Sequence, residues 1–339
     1  MRRGILWAAC AVAAIICGPG ARAEAQFKLR ASVDTSLSHA RTQSVADYLK
    51  KVQERSGGRI ETELFHSGQL YRDRDVVKAL RQGSVEMAAP GNWVLTGLVP
   101  DADVFQLPIF FGQLASVAYG AADGKIGQLV DTQFQQKLQV KILGRWLPLG
   151  YQNCYATSKP IKSFDDWAGM KIRNSGGAGQ SLRAKFFGAI PNLTAWPDVP
   201  LALSQGTFDG LCSTDESLAS AKLWEAGVKY GFEDHEFIGF YVPMISDRFY
   251  RQLPADLQKI VVDTWQENIE TYRKNMETAQ EEAHRTLEKN GVQFFSPGLE
   301  ALSKIRQKMM PTQDDVAKEL RLSAPLMSQI KAESGNLSQ

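Results

Sequence analysis

The chain has 339 residues with 39 Lys and Arg against 37 Asp and Glu, a formal net charge of +2, and is 44% hydrophobic and 22% charged. That balance is typical of a soluble globular protein long enough for two lobes. It excludes the strongly basic surface of a nucleic-acid or anionic-membrane binder.

Residues 1–23 read as a secretory leader. Arg2 and Arg3 form a basic start, Ile5 to Cys17 an apolar run, and Ala21-Arg22-Ala23 an A-x-A cleavage site after the break at Gly18-Pro19-Gly20. The apolar run is too short to span a bilayer and no later segment is longer, so the expectation is an exported, periplasmic protein that does not cross the membrane. Removing the leader takes three arginines and no acid. Lys and Arg then fall from 39 to 36 against 37 acidic residues, and the net charge turns from +2 to −1. Of four cysteines, Cys154 and Cys212 remain. In an exported protein they form one disulfide or sit as two small buried residues.

The mature chain alternates strand and helix. Phe27, Leu29 and Val33 alternate as a strand, and the polar loop Asp34-Thr35-Ser36 follows. Ser38 is placed to cap a helix whose Val45, Tyr48, Leu49 and Val52 share one face, stopped at Gly57-Gly58. Ile60, Thr62 and Leu64 alternate again. Asp73 opens a helix with Val76, Val77 and Leu80, closed by Gly83. Val85 to Ala89 is a short apolar strand before Pro90-Gly91-Asn92-Trp93. Further strands are expected over Val104 to Pro108 and Val140 to Trp146, with a helix from about Leu114 to Val130 between them. Such βα alternation predicts a largely parallel sheet covered by helices.

The second half repeats the pattern, with strands at Gly150 to Thr157, Ala189 to Ala195 and Phe208 to Leu211 and a long apolar strand, Phe237 to Ser246, that suits a crossing between lobes. Between them, Met170 and Ile172 alternate with Lys171 and Arg173. Gly176, Gly177 and Gly179 break the chain, and Leu182, Phe186 and Phe187 then fall at helical spacing. Arg173 therefore sits at the carboxyl end of a strand just before a helix, the edge where open α/β sheets hold ligands. Its guanidinium there either grips a carboxylate through two parallel hydrogen bonds or pairs with the nearby Asp165 or Asp166. The helix end adds free N–H groups and partial positive charge. Residues of about 255–290 carry Leu257, Val261, Trp265, Ile269, Tyr272, Met276, Ala283 and Leu287 at steps of three and four, between Pro254 and Gly291. At a 1.5 Å rise this helix is roughly 50 Å long, enough to span both lobes.

Catalytic patterns are poor. The four histidines, His39, His66, His235 and His284, form no H-E-x-x-H, and no C-x-x-C, G-x-S-x-G or G-x-x-x-x-G-K-[ST] is present. The turn Gly176 to Gly179 lacks the lysine of a phosphate loop. Asp215-Glu216 is either an acid–base pair or the acidic start of a helix. No catalytic residue, metal site or cofactor is expected.

Three patches resemble one family. Lys159-Pro160-Ile161 through Trp167-Ala-Gly-Met-Lys-Ile-Arg173 is similar to K-R-P-I…D-L-K-G-L-K-I-R; Trp196 through Asp209-Gly210 is similar to E-V-Y-x-A-L-Q-x-G-x-V-D-G; Phe105 to Phe111 is similar to F-x-L-P-F-L-F. In this order they resemble the solute-binding proteins of tripartite ATP-independent periplasmic (TRAP) transporters over nearly the whole mature chain.

The resemblance implies an α/β fold of two lobes with the ligand cleft between them and the long helix spanning both. The lobes are expected over 24–149 plus 239–278 and over 150–238 plus 279–339. It implies capture of a small organic acid through Arg173 and delivery to TRAP membrane permease subunits by a monomer. Thr35, Asn92, Trp93, Ser213 and Asp215 are expected near the ligand, Trp93 as an aromatic wall or as plain core.

Two departures shape the expectation. Many members carry a second cleft arginine where this chain has Gln152 or Asn153, which points to a monocarboxylate with neutral hydrogen-bonding groups. Cys212-Ser213-Thr214-Asp215 stands where Q-E-N-P is frequent. A periplasmic ligand sensor for a signalling receptor has the same sequence features, and a periplasmic enzyme is the third class.

Overall fold

A computed structural model describes residues 25–337, so the leader read over 1–23 lies outside the described residues. The strands in chain order are β1 (Phe27–Ser32), β2 (Ile60–Phe65), β3 (Met87–Ala88), β4 (Val140–Ile142), β5 (Leu147–Ala156), β6 (Lys171–Asn174), β7 (Ile190–Leu193), β8 (Gly210–Ser213), β9 (Tyr230–Tyr241), β10 (Met244–Ser246) and β11 (Gln293–Phe295). They form two sheets, ordered β2-β1-β3-β10-β4 and β11-β9-β5-β8-β6-β7, one in each lobe.

The sheets are mixed. β1 runs parallel to β2 and β3, and β6 parallel to β7 and β8. The strands that link the lobes run against their neighbours: β10 is antiparallel to β3 and β4, and β5 is antiparallel to β8 and β9. The expected crossing strand is really two, because the chain leaves one sheet at Tyr241 and enters the other at Met244. The β5–β9 pairing shifts register between Pro148 and Gly150 and again between Gln152 and Cys154. Such bulges bend a strand pair where it passes from one body to the next.

Three local expectations give way to packing. Val104 to Pro108 is not a strand but lies in 3₁₀ turns, Pro100–Gln106 and Pro108–Phe110. Val104, Phe105 and Leu107 are buried on every side, so they carry no two-residue period, and each proline starts a turn where its missing N–H is harmless. The helix expected from Leu114 to Val130 is two, Ala115–Asp123 and Lys125–Leu138, separated by extended Gly124. The first helix, Ala40–Arg55, is capped by His39 rather than Ser38, with the imidazole accepting from Arg41 N.

The helix Ala255–Lys289 spans both lobes. Leu257, Val261, Trp265, Ile269, Tyr272 and Met276 enter the first lobe's core, and Leu287 enters the second's. Beyond it, Leu302 and Met309 pack on the second sheet. Ala317, Leu326 and Ile330 instead return to the first lobe beside Val130 and Phe134. Residues 313–337 thus lie outside the second lobe, to which 279–339 was assigned from sequence. Cys154 and Cys212 face one another on β5 and β8, both buried and both free.

Trp265 is fully buried in this helix, set against Tyr48 and Tyr272 with its indole N–H donating to Arg145 O at 3.0 Å. Trp265→Ala is expected to cost about 3–5 kcal/mol of stability, read from the urea midpoint. A loss under about 1 kcal/mol would mean that the helix is not anchored there.

Candidate functional site

β6 ends beneath the gap between the lobes, and Arg173 is its third residue. The side chain is 1% exposed. Its Nε donates to Thr194 O at 2.9 Å, its Nη1 reaches Cys212 O at 3.5 Å, and its Nη2 is buried without a partner. Among the described residues no carboxylate forms an ion pair with it. Asp166 is engaged elsewhere, accepting from the amides of Lys162 and Ser163 at 3.0 Å. Burial pushes the Arg173 guanidinium down to about 10 from its ordinary value; the Asp34 carboxylate across the cleft opposes the shift, and the like charge of Arg74 adds to it. A buried cation without its counter-ion is unstable unless an anion arrives.

That guanidinium lines a narrow cleft with a free volume of about 40 Å³, walled by both lobes. The second lobe supplies Ser213 at the end of β8 and the ring of Trp196, whose centre lies 5.6 Å from the Arg173 guanidinium. The first lobe supplies Thr35, Arg74 and Trp93. Trp93 is both core and wall: it is 7% exposed, packs against Tyr241 at 5.6 Å between ring centres, and still lines the cleft. Its ring is seated by glycines. A Cβ on Gly91 would come within 2.3 Å of the indole and one on Gly239 within 2.6 Å.

Arg41 organises the first lobe's side of the cleft. It is fully buried and holds Asp34 at 2.8 Å and Asp73 at 2.6 Å, with its guanidinium 4.2 Å from the centre of the Tyr241 ring. Burial pushes the Asp73 carboxyl up to about 7, opposed by Arg41. Asp34 and Asp73 line the cleft, and both are matched by Arg41. The Thr35 hydroxyl is likewise engaged, with Thr42 at 2.7 Å and Arg41 Nε at 3.1 Å.

Of the eight residues singled out from sequence, Arg173, Gln152, Trp93, Ser213 and Thr35 gather in the cleft. Asn92, Asn153 and Asp215 do not. Asn92 donates to Ala102 O at 2.7 Å and accepts from Phe240 N at 3.1 Å, which ties its turn to β9. Neighbours on a strand point to opposite faces. Gln152 therefore meets the cleft, and Asn153 lines an open groove behind it, accepting from His235 N at 3.1 Å. Asp215 lines that groove too, accepting from Tyr155 OH at 2.7 Å and from His284 Nδ1 at 3.0 Å.

Sequence reasoning missed Arg41, Asp73, Arg74, Trp196 and Tyr241. Arg41 left a readable trace, since it stands four residues before Val45 on the apolar face of its helix. The helix end expected to greet an anion, Ala178–Phe186, is already occupied. Asp103 of the first lobe accepts from Ala178 N at 3.1 Å and Gly179 N at 3.3 Å. Among the described residues, no group of three or more His, Cys, Asp or Glu could hold a metal ion, and no helix is long and apolar enough to cross a membrane.

The profile of bacterial extracellular solute-binding proteins, family 7, matches residues 32–319. The C4-dicarboxylate-binding protein DctB of Bacillus subtilis is 28% identical over 240 residues, 70% of this chain and 67% of its own. The C4-dicarboxylate-binding periplasmic protein DctP of Rhodobacter capsulatus is 24% identical over 289 residues, 85% of each. In fold the chain is similar to a TRAP periplasmic solute-binding protein from Sulfurospirillum deleyianum with bound succinate. That TM-score is 0.83, at 23% identity, over 91% of this chain and 99% of that one. It is similar also to the sugar-acid-binding protein DctPAm of Advenella mimigardefordensis in complex with galactonate, with a TM-score of 0.85 at 20% identity, over 92% and 98%.

The Asp103 contact between the lobes carries a pH signature. Burial pushes this carboxyl up to about 7, against the pull of the two helix amides. The folded protein therefore holds a proton that the unfolded chain releases near pH 4, and stability from this group falls as pH rises towards 7. Asp103→Asn keeps an acceptor and removes the titration. From pH 4 to pH 8 its stability should gain on the parent by up to roughly 4 kcal/mol in urea unfolding. Parallel pH curves would contradict this account.

Proposed function

This chain belongs to the bacterial extracellular solute-binding protein family 7, and on that premise we propose that it captures a small organic acid by its carboxylate on Arg173 and hands it to TRAP membrane permease subunits. One observation carries the reading: a guanidinium buried in a cleft, with an N–H of its own unsatisfied and no acid to balance it. A carboxylate supplies both the charge and the acceptors, and a planar fork matches it better than a lone ammonium would. The family is one of solute-binding proteins. Recognition without catalysis agrees with walls of guanidiniums, hydroxyls and aromatic rings in which the two carboxylates, Asp34 and Asp73, are both held by Arg41. The leader read over 1–23 suits export to the periplasm.

Closure follows from which lobe owns which wall. Arg173, Trp196 and Ser213 belong to one lobe and Trp93, Arg74 and Thr35 to the other, so a ligand touching both walls favours the closed arrangement. Next to Trp196, Asp198 accepts two hydrogen bonds from Arg72 of the opposite lobe, at 2.6 and 2.9 Å. The turn that covers the clamp arginine is thereby the same turn that meets the other lobe.

Arg173→Ala should weaken carboxylate binding by about 2–5 kcal/mol in isothermal titration, and Arg173→Lys should not restore it. In a thermal-shift screen of organic acids, neutral sugars and amines, an acid at 100 times its dissociation constant should add about 2.7 kcal/mol of stability to the parent. Without ligand, Arg173→Met should melt higher than the parent, because it removes an unbalanced buried charge. Unchanged affinity in Arg173→Ala, or hits confined to neutral sugars and amines, would refute the clamp.

A further inference from the structure

The turn Pro100–Gln106 of the first lobe is pressed against the start of the helix Ala178–Phe186 of the second, which follows β6 and its Arg173. Ala102, Val104 and Phe105 anchor the turn in the first core, and Ala184 anchors the helix in the second. The approach is close. A Cβ on Gly177 would come within 2.6 Å of the Asp103 carboxylate, and one on Gly179 within 2.3 Å of Gln106 Cβ. Asp103 is 2% exposed, and its Oδ2 accepts from the amides of Ala178 and Gly179 across the seam. Among the described residues it forms no ion pair. Arg183, the cation that bears on it, is committed to Gln106 at 2.8 Å and Glu236 at 3.2 Å. The seam is also imperfectly satisfied: Asp103 Oδ1 and Gln106 Nε2 on one side and Arg183 Nε on the other are buried without a partner. Water meets these atoms once the lobes part, and closing strips it away. Closing thus leaves a carboxylate in a dry seam with dipoles alone to hold it, and a proton from solvent cancels that charge at less cost than burying it.

We propose that closure of the cleft on a ligand takes up a proton at Asp103, so that acid favours capture and alkali favours release. This rests on the reading that a carboxylate on Arg173 closes the lobes. The sign follows from the two environments. With the lobes parted, Asp103 is a hydrated carboxyl that ionises at about pH 4; with the lobes closed, burial pushes it up to about 7, against the two amides and Arg183. Near neutral pH the closed form therefore holds more protons than the open form, and by linkage a fall in pH favours closure. The other titratable groups of the seam are tied within one lobe. Asp234 and Glu236 of β9 and the Cys212 thiol of β8 lie beside Arg183 in the second lobe, Asp234 accepting from Cys154 N and Glu236 from Cys212 Sγ, each at 3.1 Å. Asp101, on the same turn as Asp103, accepts from Ser323 N at 2.7 Å in the first lobe. These acids keep their partners when the lobes part, whereas Asp103 loses both of its amides.

The test is isothermal titration of the purified protein with galactonate, glucuronate, pyruvate and fumarate, acids that stay ionised from pH 6 to pH 8. Each is titrated across that range and, at pH 7, in both phosphate and Tris, whose different heats of ionisation reveal the protons exchanged on binding. An acid that binds should do so about tenfold tighter at pH 6 than at pH 8, with roughly half a proton taken up at pH 7. Asp103→Asn keeps an acceptor for the two amides but cannot ionise. Its affinity should stay within about twofold across the range, and its proton uptake should vanish. An affinity of the parent that ignores pH, or an uptake that survives in Asp103→Asn, would overturn the role of Asp103 while leaving the clamp intact. Binding that ignores Arg173→Ala, or no binding of any of these acids, would overturn the clamp and this inference together.

Discussion

The pairing of β5 with β9 is the constraint on which the rest of the molecule depends. It is the long antiparallel ladder of the second sheet, yet its first residues, Leu147 and Leu149, and its partner Tyr241 are packed in the first lobe's core. A continuous ladder forces the two lobes to share one frame. The register shifts at Pro148/Gly150 and Gln152/Cys154 bend that frame where the cleft opens. Strand alternation then sorts neighbours, with Gln152 to the cleft and Asn153 to the rear groove. The helix Ala255–Lys289 braces the same junction from outside, with its early turns in one core and Leu287 in the other.

Two buried arginines show how one side chain serves opposite ends. Arg41 is surrounded by matched groups: two carboxylates, a backbone carbonyl, a threonine hydroxyl and the face of a tyrosine. It is a structural ion cluster, and its satisfied bonds hold the cleft wall in place. Arg173 has two carbonyls for orientation and nothing for charge. The first arrangement stabilises the unliganded fold. The second leaves an electrostatic deficit, which under the proposed function a ligand carboxylate would remove.

Much of the fold was legible in the sequence. The apolar face Val45, Tyr48, Leu49 and Val52 and the run from Leu257 to Leu287 are helical because packing one face at 3.6 residues per turn leaves a readable trace. Arg173 was legible because a charge in the strand Lys171–Asn174, set before a glycine turn, has few places to go. Val104 to Pro108 misled because residues buried on all sides lose their period. Asn92 and Asp215 lie outside the cleft lining because their side chains are engaged elsewhere, Asn92 with backbone groups and Asp215 with Tyr155 and His284. Arg74 was missed because no local pattern marks a charged residue as lining a cleft.

By itself the sequence determined the alternation of strands and helices, the long helix and the strand-end position of Arg173, all features carried by contacts within a few residues or by one-dimensional spacing. Only the tertiary structure decided which lobe the last helices join, which face of β5 meets the cleft, that Asp103 occupies the helix end near Arg173, and that Arg41 takes both acids of the cleft wall. The reason is physical: whether a buried or cleft-lining charge is satisfied depends on partners brought together from distant parts of the chain, and no local period records who those partners are.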